Sequence, residues 1–313
     1  MSTAVTLREV GLRDGLQGQA RFVPTDIKLD WVRREAAAGV REIEVTSYVP
    51  VSLIPQFADA QAVTHGALAV PGLTGSALVP NRRGAERGLE LGAHKLNFVM
   101  SVSRTHNEKN VRRPREASLA DFAGIVDSVR PRPDGRRPLV CGGLSTAIGY
   151  SYEGRIKVDD VRRWAMGLAE AGADELMSAD TLGDADPALV RRVFKAVQAE
   201  VGTLPLAAHF HDTHGTGLAN VLAALECGIT RFDASLTGLG GCQFTPGASG
   251  NIVMEDLCFM LEAMGVSTGI DIQQLLAVRQ VVGQPLQDMP LCGAVAKAGL
   301  PTNYHASASA LAA

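Results

Sequence analysis

Residues 158–181, VDDVRRWAMGLAEAGADELMSADT, contain one complete helix-to-strand unit. Val158–Ala171 has the apolar spacing of an amphipathic helix. Gly172 follows, where a helix ends easily because glycine adopts the left-handed conformation at little steric cost. The short β-like run Glu175–Ala179 then predicts a strand, and the polar residue Asp180 follows it.

The same unit recurs along the chain, with Gly39, Gly92 and Gly228 between a helical and a strand-like segment. The predicted strands are Thr6–Arg13, Glu42–Ser47, Thr74–Val79, Leu96–Val102, Leu139–Ser145, Glu175–Ala179, Leu206–His211 and Arg231–Leu236. The helical segments between them include Asp26–Ala38, Arg82–Leu91, Leu119–Val129, Val158–Ala171, Pro187–Val201 and Leu218–Cys227. Eight such units predict an α/β fold, a (β/α)8 TIM barrel.

The main alternative is a doubly wound sheet, which would carry a GxGxxG motif after its first strand. The segment Gly11–Gly15 lacks that spacing and places charged side chains where a phosphate would bind. After the eighth unit, Met254–Met264 and Ile272–Val282 are predicted to be further helices. We expect the barrel at about residues 5–270 and a C-terminal helical extension at about 271–303. No linker is visible, so we expect residues 1–313 to form a single domain.

Composition limits the function. The chain of 313 residues is 46% hydrophobic and 20% charged, which is typical of a soluble globular protein. Its net charge of −3, without a basic run, argues against a nucleic-acid partner, and no apolar stretch is long enough to cross a membrane. Five scattered cysteines without a CxxC pair predict reduced thiols. The first strand begins within a few residues of Met1, leaving no room for a targeting peptide, so we expect a cytoplasmic protein.

Polar residues gather at the strand ends, where a TIM barrel has its active site. His209 and His211 project to one side of the seventh predicted strand. An isolated pair of this kind is as often a hydrogen-bonded pair as a metal site, but three of the seven histidines fall within six residues here. With Asp14 and Asn251 they form an oxygen and nitrogen donor set that suits Mg²⁺ or Mn²⁺, although Zn²⁺ or Co²⁺ would also bind.

Cys242 differs from the other cysteines because glycines surround it. Gly240 and Gly241 precede it, and the segment 247–250 that follows contains two more glycines. A thiol on a mobile loop over the barrel mouth can donate or accept a proton, which we favour over a structural role.

Together these motifs resemble the 3-hydroxy-3-methylglutaryl-CoA (HMG-CoA) lyase family, from about Leu7 to Asp271. The motifs that carry the resemblance are Val10–Gln17, Ile43–Ser47, Asp180–Gly183, His209–Gly215 and Gly238–Asn251. Two departures from the family pattern are Gln17-Gly18-Gln19, where Gln-Asn-Glu is common, and Tyr150, where a Cys is often found.

The resemblance implies a metal-dependent retro-Claisen cleavage of HMG-CoA to acetyl-CoA and acetoacetate, in leucine breakdown. The metal would bind to Asp14, His209, His211 and Asn251. Arg13 would contact the substrate and stabilise the enolate of the departing acetyl-CoA, and Cys242 would act as a catalytic acid or base. Asp14 and His209 are also candidate catalytic residues, with Glu44 and Asp180 supporting the site. We expect an acyl-CoA substrate and a homo-oligomer, most simply a dimer, because many barrels dimerise.

Three alternatives remain open at this stage. The same metal geometry would serve a lyase for another branched 3-hydroxyacyl-CoA, such as citramalyl-CoA. A Claisen-condensing acyltransferase of the isopropylmalate synthase type would use a similar barrel, although Cys242 in its glycine loop argues against it. A barrel without catalytic activity would bind no metal.

Overall fold

The computed structural model describes residues 4–129, 137–240, 250–286, 291–302 and 304. Its larger sheet consists of β1 (Thr6–Glu9), β2 (Glu42–Ser47), β3 (Thr74–Val79), β4 (Lys95–Ser101), β5 (Leu139–Ser145), β8 (Glu175–Asp180), β9 (Leu206–Phe210) and β10 (Arg231–Ala234). The two short strands β6 (Tyr150–Ser151) and β7 (Gly154–Arg155) pair with each other as an antiparallel hairpin. The eight longer strands are all parallel and close into a barrel in the order β1-β10-β9-β8-β5-β4-β3-β2. The predicted TIM barrel is therefore confirmed.

Helices surround the barrel and continue after its last strand. They are α1 (Thr25–Ala37), α2 (Ala60–Leu68), α3 (Arg82–Glu90), α4 (Arg104–Val111), α5 (Arg115–Ser128), α6 (Val158–Glu170), α7 (Pro187–Val201), α8 (Gly217–Glu226), α9 (Met254–Ala263), α10 (Ile272–Gly283) and α11 (Ala294–Ala298). The predicted extra C-terminal helices are thus present. Gly39, Gly92, Gly172 and Gly228 have φ angles of 107°, 80°, 95° and 83°, which confirms the predicted helix ends.

The first strand is shorter than the sequence predicts. It ends at Glu9, and Gly11–Gly15 wind into a wide helical turn instead of continuing to Arg13. In this turn the Val10 carbonyl accepts hydrogen bonds from the backbone N–H groups of residues 13, 14 and 15. The turn keeps Arg13 and Asp14 buried at the mouth of the barrel, where both line a cavity.

Charged side chains fill the opposite end of the barrel interior. Glu42, Lys95 and Glu175 are the first residues of β2, β4 and β8, and all three are buried. Lys95 Nζ lies 2.8 Å from Glu42 and 2.7 Å from Glu175. Arg8 in β1 contacts Glu175 and donates from Nε to Asp233 Oδ1 at 2.5 Å. We call Arg8, Glu42, Lys95, Glu175 and Asp233 the floor network.

The C-terminal helices reach the segment that follows the last barrel strand. A short helical turn, Leu236–Gly238, comes after β10 and contacts α9. The backbone N–H of Cys292 donates to the Thr237 carbonyl at 3.0 Å, and Arg279 in α10 pairs with Glu255 in α9. The extension therefore supports the start of the loop that leads to Asn251.

No helix in the described part of the chain is both long enough and apolar enough to cross a membrane.

Candidate metal centre and active site

Three of the four predicted metal ligands form one buried cluster. Atoms of Asp14, His209 and His211 that can bind a metal all lie within 4.8 Å of one another. Asp14 Oδ2 is 3.6 Å from His211 Nε2, and the centroids of the two imidazole rings are 4.9 Å apart. The three side chains come from the turn after β1 and from the end of β9, as the sequence predicts.

Hydrogen bonds fix the tautomers of both histidines. His209 Nδ1 lies 3.0 Å from Asp233 Oδ2 in the neighbouring strand β10. His211 Nδ1 lies 3.0 Å from the backbone carbonyl of Asp180, which can only accept. With Nδ1 as the donor in each ring, Nε2 is left with its lone pair for a metal ion.

Backbone pairing brings Asn251 into the same cluster. The N–H of Ile252 donates to the Phe210 carbonyl at 3.2 Å, so the segment after the glycine loop runs beside the end of β9. Asn251 Nδ2 donates to Asp14 Oδ2 at 2.8 Å and to the Leu239 carbonyl at 2.9 Å. Its Oδ1 is buried and has no hydrogen-bond partner among the described residues. This amide oxygen is therefore available as a ligand.

Gly240 allows the close approach of Asn251 and Asp14. Its φ angle is +128°, a conformation that side-chain-bearing residues rarely adopt. A Cβ atom at this position would overlap the Asn251 amide and lie 3.1 Å from Asp14 Oδ2. A glycine is required here for the ligands to pack together.

Arg13 links the metal cluster to β2. Its Nη1 donates to Asp14 Oδ1 at 2.5 Å, and its Nε donates to Glu44. The other oxygen of Glu44 accepts from Asn97 Nδ2 at 2.8 Å, whereas Asn97 Oδ1 has no partner in the part of the chain that is described. Two carboxylates thus share a single guanidinium group. The cluster carries an excess of negative charge that fits a bound cation.

The ionisation of the cluster follows from these contacts. Burial would raise the pKa of Asp14, but the Arg13 guanidinium and the two histidines hold that pKa well below its ordinary value. Burial would lower the pKa of His211, but the adjacent Asp14 carboxylate raises it. Asp14 is therefore ionised and ready to bind a cation at neutral pH.

Asp180 contacts the cluster through its backbone rather than its carboxylate. The carboxylate accepts N–H groups of Gly183, Asp184 and Ala185 at 2.9, 3.1 and 3.1 Å, and burial raises its pKa to about 6. The Asp180 carbonyl orients His211, as described above. Asp180 thus holds the loop after β8 with its carboxylate and orients His211 with its carbonyl.

Two other sequence predictions concern residues outside this cluster. Cys242, the predicted catalytic acid or base, lies outside the described residues. His214, the third histidine of the motif, is exposed, and its Nδ1 lies 2.7 Å from the Gly183 carbonyl.

A cavity of about 430 Å³ opens over the cluster. Arg13, Asp14, Glu44 and the two histidines line its inner end, together with Asn97. His106, Lys109 and Arg112 from α4 and its C-terminal end line another part of the wall. A volume of this size suits a small ligand, with the polar groups at one end to orient it.

Sequence reasoning missed Asp233 and Asn97. Each is a polar residue within an otherwise mostly apolar run, Phe232-Asp233-Ala234 and Leu96-Asn97-Phe98. That pattern is a signal for a polar group inside a barrel, but it does not indicate which side chain the group contacts.

Comparison with known proteins identifies the family. A family model described as HMGL-like matches residues 4–282. The chain belongs to the HMGL-like family. This membership confirms the resemblance predicted from the motifs.

Several similar proteins are hydroxymethylglutaryl-CoA lyases. The chain is 40% identical to the hydroxymethylglutaryl-CoA lyase of Bacillus subtilis, over 90% of this chain and 94% of the relative. It is 37% identical to the mitochondrial hydroxymethylglutaryl-CoA lyase of Mus musculus, over 90% of this chain and 86% of the relative. A solved HMG-CoA lyase from Acinetobacter baumannii, in complex with coenzyme A and 3-methylmalate, superposes with a TM-score of 0.89 at 38% identity, covering 96% of this chain and 97% of that one.

Proposed function

We propose that this HMGL-like protein cleaves HMG-CoA to acetyl-CoA and acetoacetate with the help of a divalent cation, as a step of leucine breakdown. The observation that carries the proposal is the cluster of Asp14, His209 and His211 beside the free Asn251 Oδ1 at the barrel mouth. The names of the similar proteins support a carbon–carbon lyase with this substrate. They do not favour a condensing acyltransferase or an inactive barrel.

We propose Mg²⁺ or Mn²⁺ as the cation, held by Asp14, His209, His211 and Asn251. A carboxylate, an amide oxygen and two imidazoles make a mainly hard donor set, and fewer than six protein ligands leave positions for substrate oxygens. When bound, the ion lowers the pKa of the substrate's 3-hydroxyl group and favours loss of its proton.

The surrounding residues would then act on the substrate directly. The hydroxyl proton leaves to a base in the cavity wall, for which we propose the Asp14 carboxylate, because the Nε2 lone pair of His209 would be taken up by the ion. As the carbon–carbon bond breaks, negative charge develops on the thioester of the departing acetyl-CoA. Arg13, held in place by Glu44, stabilises that charge. We assign protonation of the resulting carbanion to the Cys242 thiol.

We also propose that the protein is a cytoplasmic homodimer whose 313 residues form one domain with an acyl-CoA substrate. Light scattering of the purified chain would give the mass of a dimer, and thermal unfolding would occur in a single transition. A monomer, or two separate transitions, would contradict these proposals.

A direct assay tests the activity. Acetoacetate release from HMG-CoA is measured with Mg²⁺, with Mn²⁺ and with a chelator, in the wild type and in His211→Ala. We expect cation-dependent cleavage in the wild type and its loss in His211→Ala. If citramalyl-CoA is cleaved instead, the substrate assignment is wrong, and if acetyl-CoA condenses with 2-oxo acids to release free CoA, the reaction class is wrong.

A further inference from the structure

One buried carboxylate connects the two segments that carry the proposed metal ligands. Glu9 at the end of β1 is fully buried. One of its oxygens accepts the N–H of Gly11, which begins the turn carrying Asp14. The other accepts the N–H of Leu236 at 2.9 Å, which begins the turn leading towards Asn251. Glu9 therefore connects these two turns through main-chain hydrogen bonds.

A second carboxyl group faces Glu9 from helix α1. Glu35 is also fully buried, and its carboxyl group lies beside the Glu9 carboxyl group and the Trp31 indole. By ordinary hydrogen-bond geometry, both Glu35 oxygens and the Trp31 Nε1 lack a partner among the described residues. A proton shared between the two carboxyl groups would give a hydrogen bond between an oxygen of Glu35 and an oxygen of Glu9.

Among the described residues, the groups that face the pair bring no unpaired positive charge. Glu35 and Trp31 face it from α1, and Glu255 faces it from α9. The nearby cation, Arg279, is paired with Glu255. Burial raises the pKa of Glu9 to about 7 and raises the pKa of Glu35 well above its ordinary value. Two buried carboxyl groups in contact hold a shared proton because both cannot ionise.

The space around the pair is tightly filled. A Cβ atom at Gly11 would lie 2.8 Å from the Trp31 ring and 2.9 Å from Ser235 Oγ. A movement of Glu9 would therefore displace the start of the turn that carries Asp14.

We propose that Glu35 carries the proton of this pair and donates it to Glu9, so that Glu9 remains an acceptor for both N–H groups and positions the two ligand-bearing segments. Glu9 and Glu35 are positioning residues and do not touch the substrate. This inference rests on the proposed metal site, since it assigns the pair a role in building that site.

The variants Glu35→Gln and Glu9→Gln separate the role of proton donor, proposed for Glu35, from the role of N–H acceptor, proposed for Glu9. In Glu35→Gln the side chain stays neutral and its amide still donates to Glu9, so Mn²⁺ affinity should remain that of the wild type. In Glu9→Gln a single oxygen replaces two acceptors, so one ligand-bearing segment loses its anchor. We expect Mn²⁺ affinity, measured by calorimetry, to fall by about tenfold, as for other groups that orient metal ligands.

Glu262→Gln is the matched control. Glu262 lies in α9, is also buried and also accepts a backbone N–H, that of Thr268, at 2.6 Å. Neither α9 nor the segment at Thr268 carries a proposed metal ligand. We expect this variant to lower the melting temperature and to leave Mn²⁺ affinity unchanged. If Glu9→Gln behaves like this control, with lower stability and unchanged affinity, the positioning role is wrong.

Infrared spectroscopy tests the protonation without any metal. The wild type should show the carbonyl stretching band of a buried, protonated carboxyl group at neutral pH, and Glu35→Gln should lose it. Retention of that band in Glu35→Gln, or its absence from the wild type, would overturn the proposal. A wild type that shows the band but binds no Mn²⁺ would instead contradict the proposed metal site and leave the shared proton established.

Discussion

The two ends of the barrel interior use buried charge in different ways. In the floor network, Glu42, Glu175 and Asp233 each contact a buried cation of the same network, Arg8 or Lys95. At the mouth, two carboxylates share Arg13, and two side-chain oxygens, those of Asn97 and Asn251, lack partners in the described part of the protein. Arg231 Nη1 also lies 3.3 Å from Glu175, so three cations face the three carboxylates of the floor. The mouth has one cation for two carboxylates and is therefore suited to an added cation and ligand.

Disrupting the floor network should lower the free energy of unfolding and leave metal binding unchanged. Lys95→Met leaves Glu42 and Glu175 without their shared ammonium group, and removing one partner of a buried ion pair costs about 3–5 kcal/mol of unfolding free energy. Urea unfolding measures this loss, and Mn²⁺ titration of the folded protein should give an unchanged affinity. Lys195→Met, at an exposed position, is the control that should unfold like the wild type. Equal stability of the two variants would contradict a structural role for the floor.

Removing a charged side chain at the mouth of the barrel should lower kcat. Arg13→Met removes the donor proposed to stabilise the enolate, and loss of one such donor lowers kcat by about 10²–10³-fold. Steady-state cleavage of HMG-CoA measures the change, and Arg33→Met, on the exposed face of α1, is the control with unchanged kcat. Full activity in Arg13→Met would remove Arg13 from the proposed mechanism.

Asp233 joins the two regions, since one of its oxygens accepts from Arg8 and the other lies 3.0 Å from His209 Nδ1. An amide at this position no longer fixes the histidine tautomer by charge. We therefore expect Asp233→Asn to weaken Mn²⁺ binding by about 10–100-fold. Calorimetry checks this, with the exposed Asp159→Asn as the unchanged control. An affinity equal to the wild type would show that the floor and the mouth are independent.

The pH dependence of the unfolding free energy should also show that the floor network stabilises the fold. Burial would raise the pKa of Glu175, but Arg8 and Lys95 lower it to about 2. Because the folded-state pKa lies below the unfolded value, the stabilisation is present above about pH 4.5 and is lost as the pH falls towards 2. Denaturant unfolding between pH 6 and about 3 should show this decline, and Glu175→Gln should flatten it. An equally steep decline in that variant would assign the acid sensitivity to other groups.

Much of this architecture is predictable from the sequence because it depends on local patterns. The strands Glu42–Ser47 and Thr74–Val79 begin and end at the residues predicted from the sequence. The cluster of Asp14, His209 and His211 was also predictable, since the ends of parallel barrel strands converge and all three residues follow or end such strands.

The remaining features depend on contacts between distant segments. The chain forms a turn at Gly11–Gly15, where the sequence predicts the end of a strand. This turn forms because the Val10 carbonyl accepts hydrogen bonds from several backbone N–H groups. Asp233 could not be paired with His209 from the sequence, because their contact depends on the register between β9 and β10. The Glu9–Glu35 pair likewise requires the packing of α1 against β1.

One measurement tests the central claim most directly: a crystal structure with Mn²⁺, with anomalous scattering recorded at the manganese edge. If the mouth is built to receive a cation, a single strong anomalous peak should lie among Asp14, His209 and His211, with the Asn251 Oδ1 turned towards it. A cluster without a peak in crystals grown with Mn²⁺, or a peak bound only by other residues, would contradict the account.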